Sequence, residues 1–435
     1  MQKLIVTGGN PLRGVVEVSG SKNATLPLMA AALLGFTATT LRNVPDLRDI
    51  RTMAGVLSGL GARVDFDIPA RTMVIDPAGF TNTEAPYDMV RKMRASIYVM
   101  GPMLARLRKA RVSMPGGCAI GTRPVDLHLK GFEALGVKIG LESGDIMAET
   151  PGLAGAEFNL SGAAGSSVGA TCNVAMAATL ASGVTTIHGA AQEPDVTVLL
   201  DFLNLMGARI EGIGQRTLVI HGVESLRGID HPVVADRIEA GTFMTAAAIT
   251  GGDVTLTGAP IPHMEATIDK LHEIGVGVTQ TDAGLRVFGD PAGYRPANIQ
   301  TWTYPGFATD MQAQFMALLC IVPGESVIKE TIYPDRFIHA MELIRMGADI
   351  RMGVGQATVH GVARLQGAPV MASDLRASAA LVVAALAAEG TTHISRVYHI
   401  DRGYEAIERK IAALGGVIER VGDPPPDDAP APADS

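Results

Sequence analysis

One thiol in this chain stands where it could react. Cys118 lies in Arg111-Val-Ser-Met-Pro-Gly-Gly-Cys-Ala-Ile-Gly-Thr-Arg-Pro-Val-Asp-Leu-His128, with Gly116 and Gly117 before it and Gly121 after it. Glycine enters left-handed backbone conformations freely, so such a segment can swing and approach a ligand closely. Arg111 and Arg123 flank the thiol, and nearby positive charge favours thiolate over thiol. Two readings are open here: a surface turn with an incidental thiol, or a mobile lid that brings a nucleophile or general acid to an anionic substrate. Cys172 and Cys320 lie in apolar helical stretches and are expected to be inert core thiols.

The basic residues that could receive such an anion stand at segment ends. They are Lys22 in Gly20-Ser-Lys-Asn-Ala24, Arg94 in Arg91-Lys-Met-Arg-Ala-Ser96, Arg123, Arg336, Arg376 in Ser373-Asp-Leu-Arg-Ala-Ser378, and Arg402 in His399-Ile-Asp-Arg-Gly-Tyr404. Singly, each reads as half of a structural ion pair. Together, arginines at glycine-bordered turns make a cage for carboxylate and phosphate, which they bind bidentately. Two acids, Asp310 in Phe307-Ala-Thr-Asp-Met-Gln-Ala-Gln314 and Asp374, each open an apolar helix. Both are expected to cap those helices, and a capping acid at a cleft can also act as a general base. The run Gly162-Ala-Ala-Gly-Ser-Ser-Val-Gly169 opens another helix, whose free backbone N–H groups suit a diphosphate. The ten histidines show no HExxH or paired ligand spacing, so no metal is expected.

A repeat must position these groups. Leu57-Ser-Gly-Leu-Gly-Ala-Arg-Val64 recurs as Phe132–Ile139, Leu203–Ile210, Leu271–Val278, Leu343–Ile350 and Ile411–Ile418. The shared glycines, Gly61, Gly136, Gly207, Gly275, Gly347 and Gly415, are 75, 71, 68, 72 and 68 residues apart. Each pattern reads as a helix end, a glycine cap and a following strand. Upstream of five of them runs an Ala-rich helix, a Gly and a Thr/Val/Ile strand. In the second unit Arg106–Arg111 replaces that turn and leads into the cysteine loop. Six units of about 70 residues point to an α/β fold in two globular halves of three units, with ligands favouring the cleft between them. The midpoint falls near Gly228–Val233.

The totals agree with this. At 435 residues the chain is too long for one core. It is 47% hydrophobic with 4% aromatics, so Ala, Leu, Val, Ile and Met build the interior. The longest apolar runs fall short of the roughly 20 residues that span a bilayer. Three cysteines argue against a disulfide framework and for a reducing compartment. Net charge is −8, of which the tail 422–435 supplies four aspartates. No basic and aromatic interleaving suggests nucleic acid. A cytoplasmic monomer without cofactor is expected, and the Pro/Ala/Asp tail should be disordered.

Ser21-Lys-Asn-Ala, Lys92-Met-Arg-Ala-Ser, Pro115-Gly-Gly-Cys-Ala-Ile-Gly, Arg123-Pro-Val-Asp-Leu-His, Thr309-Asp-Met-Gln-Ala-Gln, Asp374-Leu-Arg-Ala-Ser and Tyr398-His-Ile-Asp-Arg-Gly-Tyr together resemble the UDP-N-acetylglucosamine enolpyruvyl transferase family, from Leu4 to about Val421. That resemblance implies two inside-out α/β barrels, each of three βαβαββ units. Residues 22–233 would form the first, and 1–21 with 234–421 the second. It implies transfer of enolpyruvyl from phosphoenolpyruvate to the 3-hydroxyl of UDP-N-acetylglucosamine, the first committed step of peptidoglycan synthesis, and sensitivity to fosfomycin at Cys118. Arg123, Pro124, Val125, Asp126 and Leu127 would hold uracil and ribose. His128 with Ser166, Ser167, Val168 and Gly169 would hold the diphosphate, Asn23 and Asp310 would face the sugar, and Ile328 would be a further substrate-binding residue. Lys22, Arg94, Arg123, Arg336, Arg376 and Arg402 would bind phosphoenolpyruvate and the departing phosphate. Asp310 would be the base, Cys118 with Lys22 the acid at C3, and Asp374 a charge stabiliser or proton relay. Some members carry lysine where this chain has Gly165. The rivals are a shikimate-pathway enolpyruvyl transferase, a paralogue acting on another uridine nucleotide, and a non-catalytic nucleotide-sugar sensor.

Overall fold

The computed structural model describes residues 2–85, 87–90, 93–114, 125–163 and 165–422. Cys118, Arg123, Pro124, Lys92 and the tail from 423 onward lie outside the described residues.

The six repeat glycines have φ of 100°, 88°, 113°, 105°, 89° and 88° in chain order. This left-handed conformation ends a helix at little cost only when the residue has no Cβ. After the first five, the chain turns into an antiparallel hairpin, such as Arg63–Asp67 with Thr72–Asp76 or Gly277–Thr281 with Gly284–Phe288, whereas the strand after the sixth, Val417–Val421, pairs with Lys3–Thr7. Upstream in the second repeat, the helix Met100–Leu107 ends on Arg108 in the left-handed conformation, with φ of 60°.

The helices Val168–Ala178, Arg237–Ile249, Gln312–Leu319 and Leu375–Ala387 lack a polar face and are buried almost all round, whereas Met100–Leu107 leaves Ala105, Arg106 and Leu107 half-buried. Arg237–Ile249, Gln312–Leu319 and Leu375–Ala387 pack together in one unit, and Lys22–Ala31, Met100–Leu107 and Val168–Ala178 pack in the other. A helix apolar all round belongs in a core. Alanine keeps these helices thin enough to pack closely. The sheets wrap them, one face inward: in Val184–His188, Thr185 and Ile187 are buried while the alternate residues are not. Helices inside and sheets outside make this an inside-out α/β arrangement.

Two compact units result, one of residues 1–19 with 235–435 and the other of 20–234, apart from a few residues outside the described set. Each has its own apolar core. In the first, Lys3–Thr7 pairs antiparallel with both Thr391–Ser395 and Val417–Val421, so the chain's start completes its last repeat. Arg13–Glu17 joins Asp253–Thr257 in the next sheet, and the third runs Ile299–Gln300, Glu325–Lys329, Gln356–His360, Asp349–Gly353. The other unit holds two four-stranded sheets and, among the described residues, one of three strands. The sequence places the crossings after residues 21 and 233, whereas the structure divides after 19 and 234. Ser21 N–H donates to the Val234 carbonyl at 2.7 Å, which keeps both residues with the second unit.

Candidate functional site

In the unit of residues 235–422, Asp310 sits on the 3₁₀ turn Thr309–Met311 that leads into Gln312–Leu319. The capping expected of it is corrected here: the cap position is Ala308, without a side-chain bond. The Asp310 carboxylate instead meets two guanidinium groups. Arg336 Nη1 is 2.8 Å from Oδ1 and Arg376 Nη2 is 3.3 Å from Oδ2. Arg336 is 5% and Arg376 3% exposed, so both charges are held in place before any ligand arrives. Asp374 does cap its helix, Oδ1 accepting from the N–H groups of Arg376 and Ala377 at 2.9 and 3.1 Å.

Arg376 is aimed from behind. Its Nη1 donates to the buried Tyr404 hydroxyl at 3.2 Å, and Gln314 Nε2 donates to the same oxygen at 3.3 Å. Thr242 Oγ donates to the Ile238 carbonyl at 2.8 Å, so at 2.9 Å it must accept from Tyr404. His339, 1% exposed, stands close enough to Asp374 and Arg336 to feel both charges. Burial brings its pKa down to about 4, against the pull of Asp374 and with a push from Arg336. Arg402 ends the 3₁₀ helix Val397–Arg402, which packs on Leu375–Ala387. Ile328 does not join the group. It is 0% exposed in the core, paired across strands with Ala357 and Ile299, and its side chain offers a ligand nothing accessible.

The unit of residues 20–234 carries a second group. Lys22 opens the helix Lys22–Ala31, capped by Ser21, with half-buried Asn23 beside it. Lys22 Nζ is 3.6 Å from Asp49 Oδ2, both side chains largely buried. Arg94 starts the 3₁₀ helix Arg94–Val99. Val125 is buried at the start of the helix Asp126–Ala134, Asp126 is exposed and Leu127 half-buried.

His128, 4% exposed on that helix, has a defined tautomer. Asn173 Oδ1 accepts from Gly101 N–H at 2.8 Å, so its Nδ2 is the donor, to the Ile97 carbonyl at 2.8 Å and to His128 Nδ1 at 3.1 Å. Nδ1 therefore accepts and Nε2 carries the hydrogen. Burial, then the Arg94 charge, lower the ring's pKa to about 3. Nε2 lies beside Gly169, where an added Cβ would come within 3.0 Å of it. Ser167 Oγ caps the helix Val168–Ala178 by accepting from Ala170 N–H at 3.2 Å. The N–H groups of Val168 and Gly169 precede any intrahelical partner, and with the neutral His128 donor they make a set of hydrogen-bond donors whose chemistry suits an anion.

Residue spacing did not single out Tyr404, Thr242, Glu330, His339, Asp49 or Asn173. Gln314 and Tyr404 stand inside the runs Phe307–Gln314 and His399–Tyr404, but their role is visible only where distant repeats meet.

Compared with known proteins, residues 6–411 match the family described as EPSP synthase (3-phosphoshikimate 1-carboxyvinyltransferase). The chain belongs to that family. Among its members, the UDP-N-acetylglucosamine 1-carboxyvinyltransferase of Trichlorobacter lovleyi is 53% identical over 425 residues, covering 98% of this chain and 100% of that protein. The protein of the same name from Geobacter metallireducens is 52% identical over 421 residues, covering 97% and 100%. In structure, the enolpyruvyl transferase NikO from Streptomyces tendae matches with a TM-score of 0.88 at 26% identity, over 97% of this chain and 99% of NikO. An EPSP synthase from Acinetobacter baumannii matches with a TM-score of 0.74 at 18% identity over 97% and 100%, a likeness of fold.

Within this EPSP synthase family member, Gly165 has a structural reason. Its φ is 92°, and Gly162 and Gly165 exchange backbone hydrogen bonds of 2.9 and 3.0 Å. A lysine in that conformation would be strained, which favours glycine in this loop.

Proposed function

We propose that this chain transfers the enolpyruvyl group of phosphoenolpyruvate to the 3-hydroxyl of UDP-N-acetylglucosamine and releases phosphate. The observation that carries the chemistry is the Asp310 carboxylate held between two buried guanidinium groups. The near-full-length identity to UDP-N-acetylglucosamine 1-carboxyvinyltransferases carries the choice of acceptor.

Phosphoenolpyruvate brings a carboxylate and a phosphate, and Arg336, Arg376 and Arg402 can exchange their present contacts for those oxygens. As Arg336 and Arg376 turn to the substrate, Asp310 is released to accept the proton of the sugar 3-hydroxyl. The hydroxyl oxygen adds to C2 while an acid, Cys118 assisted by Lys22, protonates C3. Asp374 uses Oδ1 for the helix cap, which leaves Oδ2 to face the positive charge developing at C2. The tetrahedral intermediate then loses a proton from C3 and expels phosphate through C2–O cleavage, giving the enolpyruvyl ether. His128, Ser166, Ser167, Val168 and Gly169 take the diphosphate, Asn23 and Asp310 the sugar, and Arg123 to Leu127 the uridine.

The enzyme is proposed to work as a cytoplasmic monomer without cofactor. No helix among the described residues is long and apolar enough to cross a membrane. Phosphate release from phosphoenolpyruvate, assayed in parallel with UDP-N-acetylglucosamine, shikimate 3-phosphate and UMP, tests the reaction. Release only with the nucleotide-sugar is expected. Release with shikimate 3-phosphate would move the assignment to the other branch of the family, and no release with any acceptor would make the chain a binding protein.

A further inference from the structure

Glu330 is 2% exposed, and the chemistry above does not use it. A buried carboxylate is expensive unless its oxygens are fully engaged. Here they are. Oε1 accepts from Thr301 Oγ at 2.7 Å and from the N–H groups of Ile332 and Tyr333 at 2.9 and 3.0 Å. Oε2 accepts from Thr309 Oγ at 2.9 Å. Among the described residues none of these partners is a cation, so Glu330 is not one end of a structural ion pair.

Thr301 follows the edge strand Ile299–Gln300, Thr309 begins the turn that presents Asp310, and Ile332 and Tyr333 lie in the segment that presents Arg336. Thr309 Oγ gives its hydrogen to Glu330 and accepts from Arg336 Nη1 at 3.0 Å. Arg336 Nη1 also donates to Asp310 Oδ1 at 2.8 Å. The direction of each bond follows from the one before it, starting at an oxygen that can only accept. An amide at position 330 would put N–H groups where the Thr309 hydrogen points, and the Thr309 hydroxyl would have to reverse.

We propose that Glu330 is a positioning residue for enolpyruvyl transfer, aligning Asp310 with the Arg336 guanidinium through Thr309 and through the backbone of residues 332–333. This rests on the roles proposed above for Asp310 and Arg336. Removing one acceptor from the relay tilts the guanidinium and the turn, and misplacement of reacting groups by about 1 Å costs on the order of 10²-fold in rate.

The test compares Glu330→Gln, Thr309→Val, Thr309→Ser and the double variant Glu330→Gln/Thr309→Val with the parent enzyme. Glu330→Gln and Thr309→Val should each lower kcat by roughly 10- to 100-fold, measured at a temperature where each variant is still fully folded. Thr309→Ser keeps the hydroxyl and should stay within a few-fold. The double variant should be no worse than the weaker single, because both changes cut one relay. Parent-like kcat in Glu330→Gln, losses that multiply in the double variant, or a loss that only tracks the folded fraction would each overturn the proposal. If Glu330→Gln fails to fold, the Thr309 pair decides: equal activity of Val and Ser overturns the relay. If the parent releases phosphate only with another acceptor, the same variants are assayed with that acceptor, so failure of the acceptor assignment and failure of the relay are read separately.

Discussion

At His128 and His339, burial keeps two imidazoles neutral, with pKa values of about 3 and about 4. In the unfolded chain both return to about 6.5. Between those values the unfolded state binds protons that the folded state refuses, so stability is fully present above pH 6.5 and falls as pH drops. At pH 5 each ring should remove about 2 kcal/mol. Urea unfolding at pH 7 and pH 5 measures this, and His339→Gln, which takes no proton, should lose about 2 kcal/mol less than the parent over that interval. A parent with the same stability at both pH values would show that the rings are solvated. Cys172 and Cys320 are likewise shielded: both are 0% exposed, and burial raises the thiol pKa well above its usual value at Cys172 and to about 12 at Cys320. Native protein treated with iodoacetamide should therefore take one label, at Cys118. Intact and peptide mass spectrometry checks it, and a label on either helix thiol contradicts the assignment. Cys118→Ser should lower turnover by roughly 10²-fold, the scale of a lost general acid.

The start of Val168–Ala178 shows how an element can act as a binding group. Ser167 satisfies one of its N–H groups, the others remain for an anion, and Gly169 leaves room for the His128 ring. An added Cβ at 169 would meet His128 Nε2 at 3.0 Å and Cε1 at 3.2 Å, forcing the ring to shift by a few tenths of an ångström. Alanine itself suits a helix better than glycine by about 1 kcal/mol, so the fold should not suffer. Gly169→Ala is thus expected to weaken UDP-N-acetylglucosamine binding about tenfold, near the 1.4 kcal/mol of one shifted hydrogen bond, with an unchanged or raised thermal midpoint. Calorimetric titration measures the affinity, and a parent-like Kd would show that the diphosphate does not lie against this helix start.

For the molecule as a whole, a ligand that binds only the folded chain must stabilise it. At a hundred times its Kd, UDP-N-acetylglucosamine should add about 2.7 kcal/mol and raise the thermal midpoint, while shikimate 3-phosphate at the same concentration should leave it unmoved. Differential scanning calorimetry with each ligand checks this. A rise with shikimate 3-phosphate alone would overturn the acceptor assigned here. The two units each have a separate apolar core, so the calorimetric trace also reports whether they melt as one transition or two.

The repeat, its six left-handed glycines, the all-apolar helices and the cap at Asp374 were legible in the amino-acid sequence because each depends on residues only a few positions apart. Glycine is favoured where φ is positive, and an Ala-rich helix without a polar face has nowhere to go but inside. Asp310 shows where that logic ends. Its place at a helix start predicts a cap, but two guanidinium groups 26 and 66 residues away outbid the local N–H groups. Ile328 shows the converse, a position implied by resemblance that the strand register turns into the core. Asn173 sets the tautomer of His128 from 45 residues away, and Glu330 orders the Asp310 turn from a strand end with no motif of its own. Spacing along the chain specifies backbone conformation. Which side chains meet is decided by how the repeats pack, because that packing brings into hydrogen-bond distance groups whose separation in sequence carries no signal.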